Sequence, residues 1–281
     1  MIKNPSYLLC LGLTLTLVSS FVVRSRETYD KAESKDMVYY AGLAYCPKKC
    51  LLAWDCESGK QFTNFGEVTH VNNAITLASA YIGYEKKKNL IIVSYRGSAN
   101  AQNWIEDFNF EMVSYPNCKG CYMHAGFLED YKAIEGKTEE AIEKLLKEHP
   151  GASIVTTGHS LGAALSVIAG LRLKAKFGSS KVIVHNFGCP RVGNHAMAQY
   201  ISTRVDTVFR VIHNKDLVAH LPFEYLDYRH PAFEVFWDEK MTNYTVCNES
   251  GEDKECSDKF SPDFSAGDHD FYFIPISSLK C

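Results

Sequence analysis

The segment IVTTGHSLGAALS, residues 154–166, limits the fold of this chain more than any other. A β-branched run stops at Gly158, Ser160 stands between two glycines, and Ala163 and Ala164 open an apolar stretch that continues to Lys176. That pattern predicts a buried strand turning sharply into a buried helix. Glycines two residues before and two after the serine remove side chains that would collide at such a turn. A serine there can be purely structural. An apolar strand directly before it and a long apolar helix directly after it are also what a nucleophile on a strand–helix elbow requires.

The rest of the chain repeats the alternation. Helices are predicted over residues 30–45, 127–148 and 161–176. Strands are predicted over 81–84 and 89–95, joined as a hairpin, and over 152–157, 181–187, 207–213 and 233–237. Continuous apolar strands separated by helices predict an α/β fold with a central, mostly parallel sheet flanked by helices. With 281 residues, 46% of them hydrophobic, one large core suffices. The net charge of −3 gives no electrostatic reason to expect nucleic acid or an anionic membrane patch.

At the amino end, Lys3 precedes an apolar run from Tyr7 to Val18, then Ser19 and Ser20. Basic, apolar and small residues in that order predict a signal peptide over residues 1–20, with cleavage between 20 and 25, and one domain over 21–281. A membrane anchor counted through Val23 is the alternative. The mature chain is expected to be secreted and to carry no transmembrane span. Ten cysteines fit that compartment. Setting aside Cys10 and Cys189 leaves eight, with expected pairs Cys118–Cys121, Cys247–Cys256, Cys50–Cys56 and Cys46–Cys281, although one sequence does not fix connectivity. Cys118 and Cys121 form a CxxC without a second pair or histidines at ligand spacing, so no metal is expected. Asn243 and Asn248 begin glycosylation sequons.

A serine nucleophile needs a histidine base and an orienting carboxylate, in the chain order Ser, Asp, His. Asp216 follows the strand 207–213 and falls at the carboxyl end of the sheet, whereas Asp206 begins that strand and Asp227 follows no clear strand. His213 and His220 lie close to Asp216 in sequence. His230 and His269 both remain open on spacing, with His269 modestly favoured by its polar loop ahead of an apolar segment.

The segments VSYRGSANAQNWIEDF, HAGFLEDY, TTGHSLGAALS, FGCPRVGN, RVIHNKDLVAHLP, HPAFEVFW and GDHDFYF, in this order, resemble the fungal-type (class 3) triacylglycerol lipases, a branch of the α/β-hydrolases. The resemblance implies a catalytic set of Ser160, Asp216 and His269, with His230 outside it. It also implies an oxyanion hole from the amides of Ser98 and Leu161. Ala101, Trp104, Ile105 and Phe108 recur at i, i+3, i+4 and i+7, an amphipathic helix by spacing and a lid by resemblance. The implied activity is hydrolysis of acylglycerol esters at a lipid–water interface, with no cofactor. An esterase on feruloyl or phospholipid esters, and a catalytically silent lipid-binding or storage protein, are the alternatives. Gly162-Ala163 departs from the glycine pair frequent in the family, and Cys50–Cys56 from its closer cysteine spacing.

Overall fold

The computed structural model describes residues 28–98, 109–276 and 279–281. The expected signal peptide and the lid residues Trp104, Ile105 and Phe108 lie outside them. Helix α1 (Lys31–Leu43) starts at Asp30, whose carboxylate accepts the Glu33 amide at 2.7 Å, satisfying a donor the first helical turn would otherwise leave open. A short helix α2 (Lys48–Ala53) follows. Strands β1 (Phe65–Asn72), β2 (Ser79–Glu85) and β3 (Leu90–Tyr95) form an antiparallel meander.

Beyond it come β4 (Met112–Ser114), β5 (Tyr122–His124), α3 (Ala125–Glu148), β6 (Ser153–Gly158), α4 (Leu161–Lys176) and β7 (Val182–Phe187). Then follow β8 (Gly193–Asn194), α5 (His195–Arg204), β9 (Thr207–His213), β10 (Tyr228–Arg229), β11 (Glu234–Trp237) and β12 (Tyr244–Val246). The main sheet runs β1-β2-β3-β6-β7-β9-β11-β12. Every neighbour pair from β3 to β11 is parallel, and the edges are antiparallel. A second sheet, β10-β8-β5-β4, lies apart from it.

The parallel strands are buried along nearly their whole length because helices cover both faces. Alternate residues face opposite ways. Ile91, Val93, Ile154, Val182 and Val184 join α3, α4 and α5 in one core. Ile92, Val155, Ile183 and Val211 join α1 in the other.

All four expected disulfides are present, and Cys189 is a buried free thiol. Cys46–Cys281 spans 235 residues of sequence and fastens Cys281 to the turn after α1. Replacing both cysteines with serine is expected to cost about 2–5 kcal/mol, by freeing the unfolded chain of its longest closed loop. Urea unfolding under non-reducing conditions measures it, and a loss below the lower figure would refute that account.

Candidate active site

The elbow forms where β6 enters α4. Ser160 adopts φ 61° and ψ −130°, a region that side-chain-bearing residues occupy only under strain of about 1–3 kcal/mol. Two close approaches hold it there. A Cβ on Gly162 would lie 2.2 Å from the Tyr95 carbonyl oxygen, and one on Gly158 would lie 2.4 Å from the Gly162 backbone. The two glycines therefore let β3, β6 and α4 meet in a space no larger residue could share. The Ser160 amide donates to the Phe187 carbonyl at 3.1 Å, which ties the elbow to the end of β7.

Register brings the other candidates to the same edge. Tyr95 pairs with Gly158 across the parallel β3 and β6. Ser98, three residues past Tyr95, and Ser160, two past Gly158, thus leave the sheet side by side, and Gly97 packs on the His159 carbonyl. Asp216 follows β9 by three residues. The crevice outside the carboxyl ends of parallel strands is where α/β sheets take ligands.

Asp216 is fully buried. Its carboxylate accepts from His269 Nδ1 at 2.9 and 3.0 Å, from the Val218 amide at 2.8 Å and from the Tyr272 hydroxyl. Burial pushes its acidity towards the neutral form, yet the charge and hydrogen bond of His269 and the Tyr272 bond prevail and hold it at about 2. Asp216 is therefore an anion at neutral pH, and it fixes the imidazole with Nδ1 as a donor. His269 Nε2 and Ser160 Oγ are both buried, and neither makes a hydrogen bond among the described residues. In unliganded hydrolases this bond is commonly open and tightens around substrate.

The amides of Gly162 and Ala163 donate to the carbonyls of His159 and Ser160. The Leu161 amide, between Ser160 and Gly162, has no such partner among the described residues, as an anion-binding amide at a helix start requires. Ser98 is half-buried at the end of the described β3 segment.

The remaining sequence candidates are engaged elsewhere. His230 Nε2 donates to the Ala219 carbonyl at 2.7 Å. His213 bonds the carbonyls of Asp268 and Glu239, and His220 Nδ1 donates to the Asp216 carbonyl at 2.9 Å rather than to its carboxylate. Asp206 accepts the Val182 amide and pairs with Lys174 at the opposite end of the sheet.

Sequence reasoning passed over several supporting residues. His159 donates from Nε2 to the His269 carbonyl at 2.7 Å, and the Tyr45 hydroxyl lies 3.0 Å from its Nδ1. The His159 and His269 rings stack with centroids 4.4 Å apart. Burial, then the neighbouring His269 charge, pushes His159 down to about 3, so it stays neutral and serves as a strut between Tyr45, in the turn after α1, and the His269 loop. Gly188, at φ 58°, lies where a Cβ would stand 2.8 Å from both Asp216 Oδ2 and His269 Cε1. Buried Arg191 holds the loop after Asp216 by donating to the carbonyls of His220 and Pro222, and pairs with Glu252 at 2.7 Å. The available signals were a glycine directly after a core strand and an arginine within an apolar GCPRVGN run.

The profile of the family described as Lipase (class 3) matches residues 92–226. A lipase of Rhizopus niveus is 28% identical over 250 residues, which cover 86% of this chain and 64% of that protein, so the chain spans less than two thirds of its length. A lipase of Rhizomucor miehei is 30% identical over 250 residues, covering 86% of this chain and 69% of its own. The solved structure of lipase II from Rhizopus niveus superposes with a TM-score of 0.83 at 27% identity, over 89% of this chain and 98% of that one. Shared sequence over most of the chain, and a shared α/β-hydrolase architecture, place the protein in the class 3 lipase family.

Proposed function

We propose that this protein is a secreted serine hydrolase that cleaves the carboxylic esters of acylglycerols at a lipid–water interface. One observation carries the reading: a strained Ser160 and an Asp216-oriented His269 leave the same sheet edge, each with a buried reactive atom unpartnered among the described residues. His269 Nε2 takes the Ser160 proton as Oγ attacks the ester carbonyl, and Asp216 holds the ring and balances its charge. The amides of Leu161 and Ser98 receive the oxyanion, each contributing about 3 kcal/mol to the transition state. The alcohol leaves with the proton from His269, and water repeats the sequence on the acyl-enzyme.

The lid belongs to this reading. Trp104, Ile105 and Phe108 would cover Ser160 in water and turn towards lipid at an interface, where each CH₂ removed from water is worth about 0.8 kcal/mol. The basic–apolar–small leader and four disulfides support export.

A panel of p-nitrophenyl esters and emulsified triglycerides, read beside fluorophosphonate labelling, tests the proposal. Labelling is expected at Ser160, with turnover rising sharply once substrate exceeds its solubility. Labelling without acylglycerol turnover would assign the machinery to another ester. Absence of labelling would remove the hydrolase.

A further inference from the structure

On the far side of Tyr45 from the elbow, the surface opens into a cavity of about 400 Å³. Lys48, His70 and Arg96 line it with Asn72, Leu77 and Tyr45, and among the described residues no acid does. Neither Lys48 nor Arg96 pairs with an acid among the described residues. Arg96 donates to the Leu77 carbonyl at 2.7 Å, and His70 meets the Ser79 hydroxyl at 3.1 Å. Among the described residues, Arg96 Nε and His70 Nδ1 bond nothing, and Lys48 has no side-chain partner. Burial, then the charges of Lys48 and Arg96, lower the proton affinity of His70, which places the imidazole within the field of both cations.

The turn 73–78 forms the rim and is fixed. Asn73 Oδ1 accepts the amides of Ile75 and Thr76 at 2.8 and 3.1 Å, and the Asn73 amide donates to the Ala78 carbonyl at 2.9 Å. The fixed turn holds Ile75 at 91% and Leu77 at 66% exposure. Two aliphatic side chains projecting beside an unneutralised basic cavity match an amphiphile with an anionic head. A soluble anion would use only the cavity.

We propose that this cavity receives the phosphate of an anionic glycerophospholipid at a lipid surface, while Ile75 and Leu77 enter the acyl layer beside it. The net charge of −3 hides the site, because Lys48, His70 and Arg96 come from α2, β1 and the end of β3 and meet only in the fold. Adsorption there is independent of ester cleavage. It is measured on Ser160→Ala protein, which leaves the vesicles intact.

Sedimentation with phosphatidylcholine vesicles, pure or mixed with phosphatidylglycerol, reads the partition. Lys48→Gln is expected to weaken binding to the mixed vesicles about fivefold, the worth of one basic residue at an anionic surface, and to leave pure phosphatidylcholine unaffected. Ile75→Ser is expected to weaken both by roughly tenfold through lost apolar burial. The control is Lys147→Gln. Lys147 stands roughly 20 Å along α3 from Ala133, whose carbonyl accepts from Asn73. An equal loss in Lys147→Gln would overturn the site in favour of net charge. Inorganic phosphate binding that depends on Lys48, with vesicle partition indifferent to it, would overturn the lipid as its source.

Discussion

Ser160→Ala is expected to lower kcat on a soluble p-nitrophenyl ester by about 10⁶-fold, the scale on which removing the nucleophile disables a triad that acts as a unit. The residual rate then reflects substrate binding and oxyanion stabilisation alone. The substitution is also informative about the fold. Ser160 Oγ makes no hydrogen bond among the described residues, so removing it costs no buried partner there. The φ of 61° persists, since it is set by the close packing of Gly158, Gly162 and Tyr95 rather than by the hydroxyl. Urea unfolding should therefore show little change while activity disappears. Activity within tenfold of the parent would remove Ser160 as the nucleophile. A large loss of stability would instead make the serine structural, the reading its tight turn alone allows.

The elements legible in the sequence were those whose burial is symmetrical. Strands β3, β6, β7 and β9 carry mostly apolar runs because both faces are covered, and α4 has the boundaries its elbow and basic end predict. Strand β1 was missed because Gly66, Glu67, Thr69 and His70 break its alternation at the sheet edge, where only one neighbour constrains it. The short strands β4, β5, β8 and β10 carry too few residues for any period to show. Helix α5 was missed too, although its Asn194 cap accepts the Met197 amide as a start signal would require.

The candidate site divides in the same way. Gly158 to Gly162 is local, and its chemistry could be read from those five residues together with the apolar strand before them and the apolar helix after them. The choice between His230 and His269 is not local: it depends on which loop returns to β9. His230 is turned away by the Ala219 carbonyl, and His269 is brought in by His159 and by the Asp216 carboxylate that Tyr272 also holds. Spacing could narrow that choice, and the three-dimensional return of the chain makes it.

Asp216→Asn should reduce kcat/KM about 10⁴-fold while keeping the architecture of the site. The amide is nearly isosteric: its Oδ1 can still accept from the Val218 amide, while its Nδ2 stands where Oδ2 accepted from the Tyr272 hydroxyl and from His269. Facing His269 it presents a donor where the carboxylate accepted, so the imidazole is pushed to the tautomer with its proton on Nε2. That atom can then no longer take the Ser160 proton. The loss belongs to proton transfer and not to substrate binding, so kcat should fall and KM stay near the parent value. Stability carries a second signature. Asp216 titrates at about 2 in the fold, below the roughly 3.9 of an unfolded aspartate. Its ionised form therefore stabilises the fold above about pH 4, and that contribution fades as pH falls through about 2. Parent and variant should differ most in unfolding free energy near neutrality and converge in strong acid. A gap that stays constant down to pH 2 would mean that the carboxylate's charge does not hold the His269 loop, and that packing at Tyr272 and His159 orients the imidazole instead.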